Sequence, residues 1–206
     1  MRVETGYDCR MAWYRLRQVE APWGDYGRML VSGMSARADD GTLEVQRAGP
    51  FVPPIDPLWL GDILVVTDAF RRSIEASGLG GAEFREVRKV QIVRVDWTDW
   101  DRSAADPAQL PPGDDPESYI LGATHDPVLA EQIGPLWEIY TEDSPDHAHG
   151  DFARAPGYHR LSGSGVVVSD HARKWLEANA GEWIRTERVA GPPGHRNRRS
   201  SRLSSS

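Results

Sequence analysis

Cysteine is nearly absent: the 206-residue chain carries one, Cys9. A single thiol excludes an internal disulfide and any metal site built from several thiolates, and it points to a reducing compartment. Long apolar runs are also missing. No stretch approaches the roughly 20 residues that a membrane-crossing helix needs, and the first residues hold no apolar core of a secretory signal. The expectation is a cytoplasmic protein with no membrane partner. Positive charge is in deficit, since 24 Lys and Arg stand against 31 Asp and Glu for a net charge of −7. The four arginines after position 190 (Arg196, Arg198, Arg199, Arg202) have no acid among them, which leaves −11 on the remainder. An acidic body argues against a phosphate-binding surface and fits a basic partner or simple solubility. Nucleic acid is therefore expected, if anywhere, only at the basic tail. No recognisable catalytic motif runs through the chain, and no cofactor is expected.

What is present is a repeated phrase. Residues 63–76 align without gaps on 165–178: an aliphatic run, Thr67 or Ser169, then Asp68 or Asp170, then a cationic amphipathic stretch with Arg71 or Arg173. Each copy reads as a strand followed by a helix. The hydroxyl residue takes the N-cap, the Asp sits in the first turn against the helix dipole, and Phe70 with Ile74, or Ala172 with Trp175 and Leu176, form the apolar stripe. Gly78, Gly80 and Gly81 stop the first helix. The unbroken run 63–66 reads as a strand covered on both faces.

Around the two copies, 11–19 alternates like a strand, and 20–40 carries turn signals with a short strand at 28–31. A hairpin arm falls at 43–46. Pro50, Pro53, Pro54 and Pro57 make 49–58 an extended connector. Strands follow at 82–87 and 90–97. There Val90 and Ile92 disagree in parity with Val93 and Val95, so either both faces are covered or a bulge intervenes. The Asp- and Pro-rich segment 99–116 reads as a surface loop. A short helix at 127–133 has Asp126 as N-cap and Pro127 at its first position, 136–140 is a strand, and 183–189 returns after the second helix. The tail 191–206 cannot bury apolar surface and reads as disordered. The resulting expectation is an α+β fold of two strand–helix–strand units on a mixed, mainly antiparallel sheet. It forms one domain over 1–190, divisible into 1–98 and 117–190 about the acidic loop.

Four constellations bear on chemistry. His147 and His149 alternate on an extended segment beside Asp151, with His125 or His159 to complete a shell, as zinc or non-haem iron sites require. A solvated polar loop explains the same residues. Asp68 with Arg71 and Asp170 with Arg173 stand three apart on a helix, the spacing of a supporting ion pair. Ser162-Gly163-Ser164-Gly165 precedes its strand instead of following one, unlike a phosphate cradle. The aromatic residues Trp97, Trp100, Tyr119, Trp137 and Tyr140 lie near Asp96, Asp99, Asp101 and Glu138. From these, Trp97, Asp99, Trp100, Asp101, Trp137 and Glu138 form a candidate partner-binding set, with aromatic anchors and steering carboxylates. The tryptophans as plain core are the alternative.

The run Gly61-Asp62-Ile63-Leu64-Val65-Val66-Thr67-Asp68-Ala69-Phe70-Arg71, continued by Gly78-Leu79-Gly80-Gly81-Ala82-Glu83-Phe84-Arg85-Glu86-Val87, resembles a stretch of polymorphic-toxin immunity proteins. The similar families are the double-CxxCG and the myxobacterial-type immunity domains, and Val167-Val168-Ser169-Asp170-His171-Ala172-Arg173 resembles the same phrase. The resemblance covers about half of the chain. No CxxCG is present, so nothing of a zinc-binding part carries over. What it implies is an α+β protein that binds and neutralises a cognate toxin, with no catalytic residue. The functional expectation is thus a non-enzymatic protein-binding protein. The alternative is a metal-dependent hydrolase using His147, His149 and Asp151, and a weaker third reading is a small-molecule sensor with an aromatic pocket between the units.

Overall fold

In the computed structural model, the residues described are 12–20, 24–58, 62–95, 115–145, 148–155 and 165–189. Cys9, Trp97, Asp99, Trp100, Asp101, His147, His159 and the tail 191–206 lie outside them. The chain is α+β, with five helices and eleven strands among the described residues. In order they are β1 (Trp13–Gln18), α1 (Gly24–Ser32), β2 (Met34–Arg37), β3 (Leu43–Gly49), β4 (Ile55–Leu58), β5 (Ile63–Thr67), α2 (Asp68–Ser77), β6 (Glu83–Glu86), β7 (Arg88–Arg94), α3 (Pro116–Gly122), α4 (Pro127–Ile133), β8 (Leu136–Tyr140), β9 (Phe152–Ala155), β10 (Gly165–Ser169), α5 (Asp170–Ala180) and β11 (Ile184–Arg188).

The strands form three sheets where the sequence suggested one. A central sheet has the order β4-β5-β8-β6 and a terminal sheet the order β11-β1-β10-β9, both antiparallel throughout. A small sheet, β2-β3-β7, joins β2 to β3 antiparallel and β3 to β7 in parallel. Sequence neighbours β6 and β7 therefore part into different sheets. Each larger sheet also draws on both halves of the chain, since β8 enters the central sheet and β1 the terminal one.

The two larger sheets correspond strand for strand. In each, a strand leading into a helix (β5 into α2, β10 into α5) is separated from its returning strand (β6, β11) by one antiparallel strand, β8 or β1. On the other side of β5 and β10 lie β4 and β9. The registers agree as well: Trp137 lies opposite Val66 as Tyr14 lies opposite Val168, and Glu138 opposite Val65 as Arg15 lies opposite Val167. The place filled by β8 after its helix is filled in the terminal sheet by β1, from the other end of the chain.

Alternation within β5 and β10 positions the core. Leu64 and Val66, with Val166 and Val168, face one shared cluster with Leu16, Ile139 and Phe152, capped by Phe70 and Ile74 of α2 and Ala172 and Leu176 of α5. Val65 points the other way, against Leu43 and Val45 of the small sheet, and Val167 against Trp13, Ala153 and Ala155. Both aliphatic runs are thus covered on both faces, and full burial of each such side chain stabilises the fold by about 1.5–3 kcal/mol. The phenyl ring of Phe70 meets the indole of Trp175 with centroids 5.7 Å apart, which ties α2 to α5.

The parity conflict at Val90 resolves as a bulge together with two covered faces. Opposite β7, Val45 pairs with Lys89 and Gln46 with Gln91, so Val90 is the extra residue and stays 39% exposed. Beyond it, Ile92 packs on Leu129 and Ala130 of α4, whereas Val93 packs on Ala48 and Ile120 of α3. No described helix is long and apolar enough to cross a membrane.

Candidate functional site

At the start of α2, the Thr67 hydroxyl accepts from the Phe70 amide at 3.3 Å. Asp68 then gathers donors: Arg71 through Nε and Nη2 (3.1 and 2.9 Å), the Trp137 indole at 3.0 Å, and Arg72. Arg71 lies 4.7 Å over the Trp137 ring and also reaches Glu75 at 2.6 Å. The start of α5 repeats the arrangement. Ser169 caps Ala172 at 3.1 Å, Asp170 accepts from Arg173 at 3.1 and 2.8 Å and from Lys174 at 2.7 Å, and Arg173 lies 4.8 Å over Tyr14. The bonds to Arg71 hold the Asp68 carboxyl below the usual carboxylate range, and those to Lys174 and Arg173 take Asp170 down to about 2. Carboxylates so fully supplied with cations stay ionised and cannot act as proton donors near neutrality.

The histidine segment divides. His147 falls outside the described residues, and His149 is exposed. Asp151 is occupied: one oxygen accepts from the Ser169 hydroxyl at 2.5 Å and lies 3.1 Å from Nδ1 of His171, while the other accepts from the Gly80 amide at 3.3 Å. Its own backbone closes the knot through Asp151 N to Gly80 O (2.7 Å) and Ser169 N to Asp151 O (2.8 Å). Ser, Asp and His meet here in the wrong order for nucleophilic catalysis. The hydroxyl bonds to the carboxylate instead of the imidazole, and it is also a helix cap at 4% exposure. Elsewhere, Nδ1 of His125 accepts from the Ile92 amide at 2.9 Å, so that nitrogen carries no proton and fastens the turn before α4 to β7. Among the described residues, no group of three or more His, Cys, Asp and Glu side chains is placed to hold a metal ion.

Of the partner-binding set, Trp137 and Glu138 are in view, and both are engaged within the chain. Glu138 is 4% exposed and takes both guanidinium nitrogens of Arg37, one at 3.1 Å, from the strand beyond β3. Trp137 is half-buried under Arg71. The side chains of this pair therefore bind the central sheet to its neighbours.

A group that pattern reading passed over lies between β1, α1 and β4. Asp56, 1% exposed, accepts from Nη2 of the wholly buried Arg47 at 2.8 Å and from the Ser32 hydroxyl at 2.9 Å. The Gln18 amide donates to Ser32 Oγ at 2.6 Å. Burial pushes the Asp56 carboxyl above its ordinary range, against the pull of Arg47. Among the described residues, Nε and Nη1 of Arg47 have no hydrogen-bond partner, and neither has the carboxylate of the buried Asp62, against whose Oδ1 a Cβ at Gly165 would come within 2.7 Å. The signal for the pair was present in the sequence: Arg47 shares parity with Leu43 and Val45, and Asp56 sits inside an apolar tetrapeptide. Beside Gln18 and Ser32 opens a cavity of about 520 Å³, bordered by α1, β1, β2, β4 and Glu117 of α3.

Comparison with known protein families, with characterised proteins and with solved structures finds no match to this chain.

Proposed function

We propose that the chain is a non-enzymatic protein-binding protein that neutralises a cognate toxin in the cell that makes both, an immunity-like role. The observation that supports the reading is the state of the surface carboxylates. Asp40, Asp115 and Asp126 are each held below the usual carboxylate range, first of all by backbone amides: Thr42, Ser118 and Leu129 respectively. With Asp68 and Asp170 they stay ionised as caps and ion-pair partners, four of the five beside a cation of this chain, so the negative field comes from the net charge of −7. General acid–base work calls instead for a pKa near the working pH. A lasting negative field speeds encounter with a basic partner and selects against acidic ones. The contact residues of the proposal come from the sequence: Trp97 and Trp100 as anchors, Asp99 and Asp101 as steering charges. Trp137 and Glu138, engaged within the chain, are left out of it.

The test is co-expression with the product of the adjacent gene in a sensitive host. Restored growth and a stoichiometric complex on gel filtration are expected, with the complex weakened when Trp100→Ala and Asp99→Lys are combined. Continued killing with no complex overturns the reading.

A further inference from the structure

The cavity beside the Asp56 network has the size of a small-molecule site, about 520 Å³. Its walls are of two kinds. Met29, Met34, Pro57 and Leu58 supply an apolar side, in which the unbranched methionines adapt to the shape of a guest. The charged side holds two guanidinium groups, Arg17 and Arg28, and two carboxylates, Asp25 beside Arg28 and Glu117 on α3. Arg17 is 18% exposed and held in place by Glu187, which accepts from Nε and Nη2 at 3.0 Å each. Arg28 is held much more loosely: its contact is Asp25 at 3.7 Å, and that carboxylate is 99% exposed. A charge so loosely paired can turn toward a guest at little cost. The polar floor cannot turn, because the Gln18 amide and Ser32 hydroxyl are fastened to each other and to buried Asp56.

We propose that this cavity, lined by Arg17 and Arg28 on one side and by Met29, Met34 and Leu58 on the other, binds a small amphipathic carboxylate. The apolar body lies along the methionines and Leu58, and the carboxylate takes the place of Asp25 on Arg28, with Arg17 adding field. The chain's net charge of −7 selects a singly charged head over a multiply charged phosphate. Among the described residues, the apolar part of the lining is aliphatic and thioether. The site does not depend on the toxin-binding reading.

Isothermal titration of the full chain with octanoate, and with octanamide as its neutral counterpart, tests the assignment. Octanoate is expected to bind saturably at one site, with octanamide about tenfold weaker, the worth of one charge-assisted bond. Arg28→Gln should lower octanoate affinity about tenfold and leave octanamide unchanged. Met29→Trp, which fills the apolar side, should remove both. Arg72→Gln, a 71% exposed cation on α2, serves as the remote control and should change neither. Absence of saturable octanoate binding overturns the proposal, as does Arg28→Gln binding as tightly as wild type, or Arg72→Gln weakening octanoate equally. Arg28 is exposed, so its variant is expected to melt with the parent.

Discussion

Removing the Asp56 carboxylate would leave the Arg47 guanidinium at zero exposure with no anion beside it. Deleting one member of a buried pair costs about 3–5 kcal/mol, whereas replacing both with apolar groups of similar volume is often neutral. Asp56→Ala is accordingly expected to lower the unfolding free energy measured by chemical denaturation by that amount, and Arg47→Met combined with Asp56→Leu to recover most of it. If the double variant is as weak as the single one, the pair is stabilising in its own right. Asp170 gives the pH counterpart. Its folded pKa of about 2 lies below the unfolded value of about 3.9. Its contribution is thus fully present above the unfolded value and is lost as pH falls through the folded one. Carboxyl-detected NMR titration should place the Asp170 midpoint near 2, and Asp170→Asn should flatten the acid limb of the stability profile between about 4 and 2.

At the level of elements, the two N-caps look alike in sequence but carry different duties. The Thr67 hydroxyl serves one amide. Ser169 serves Ala172 as acceptor and Asp151 as donor. Thr67→Ala should cost about 1 kcal/mol, and Ser169→Ala measurably more in the same denaturation assay. Equal losses would show that the bond to Asp151 adds nothing. The caps, the ion pairs three apart and helix α4 behind Asp126-Pro127 were legible because each is fixed by neighbours within a few positions. Elements set by distant partners were not. Helix α1 hides behind Gly24 and Gly27, which read as turn residues, although Gly27, Leu30 and Val31 form a buried face at helical spacing. Strand β4 contains Pro57, and its residues look in sequence like part of the extended connector. It holds its place at the sheet edge, where a missing amide is tolerated, and Arg47 makes its Asp56 acceptable in the interior. Helix α3 begins where the acidic loop was expected to be ending: Asp115 caps Ser118 at 2.8 Å and Pro116 opens the first turn. The burial of Arg47 and of Asp56 is each legible locally, but their meeting with Gln18 and Ser32 is not, because the four belong to four elements that no local pattern brings together.

Taken whole, the molecule builds two sheets to one plan from chain segments in different order. β11 and β1 are antiparallel neighbours, and the Val189 amide bonds to the Trp13 carbonyl at 2.9 Å. A short turn joining 189 to 12, with new ends opened between Glu20 and Gly24, would make the terminal sheet follow the same order along the chain as the central one: strand, strand, helix, strand, then the intervening strand. This circular permutant is expected to fold and to melt close to the parent. A permutant that aggregates or lacks a cooperative transition would mean that the correspondence of the sheets stops at their topology.

The position of β1 also has a bearing on biosynthesis. Tyr14 and Leu16 leave the ribosome before every other strand of the fold, yet the strands that flank them, β10 and β11, follow all the others. The principal core must therefore stay unsealed until β10 and β11 have emerged, with β1 waiting in the open. That interval is the period of greatest exposure to aggregation and to capture by chaperones.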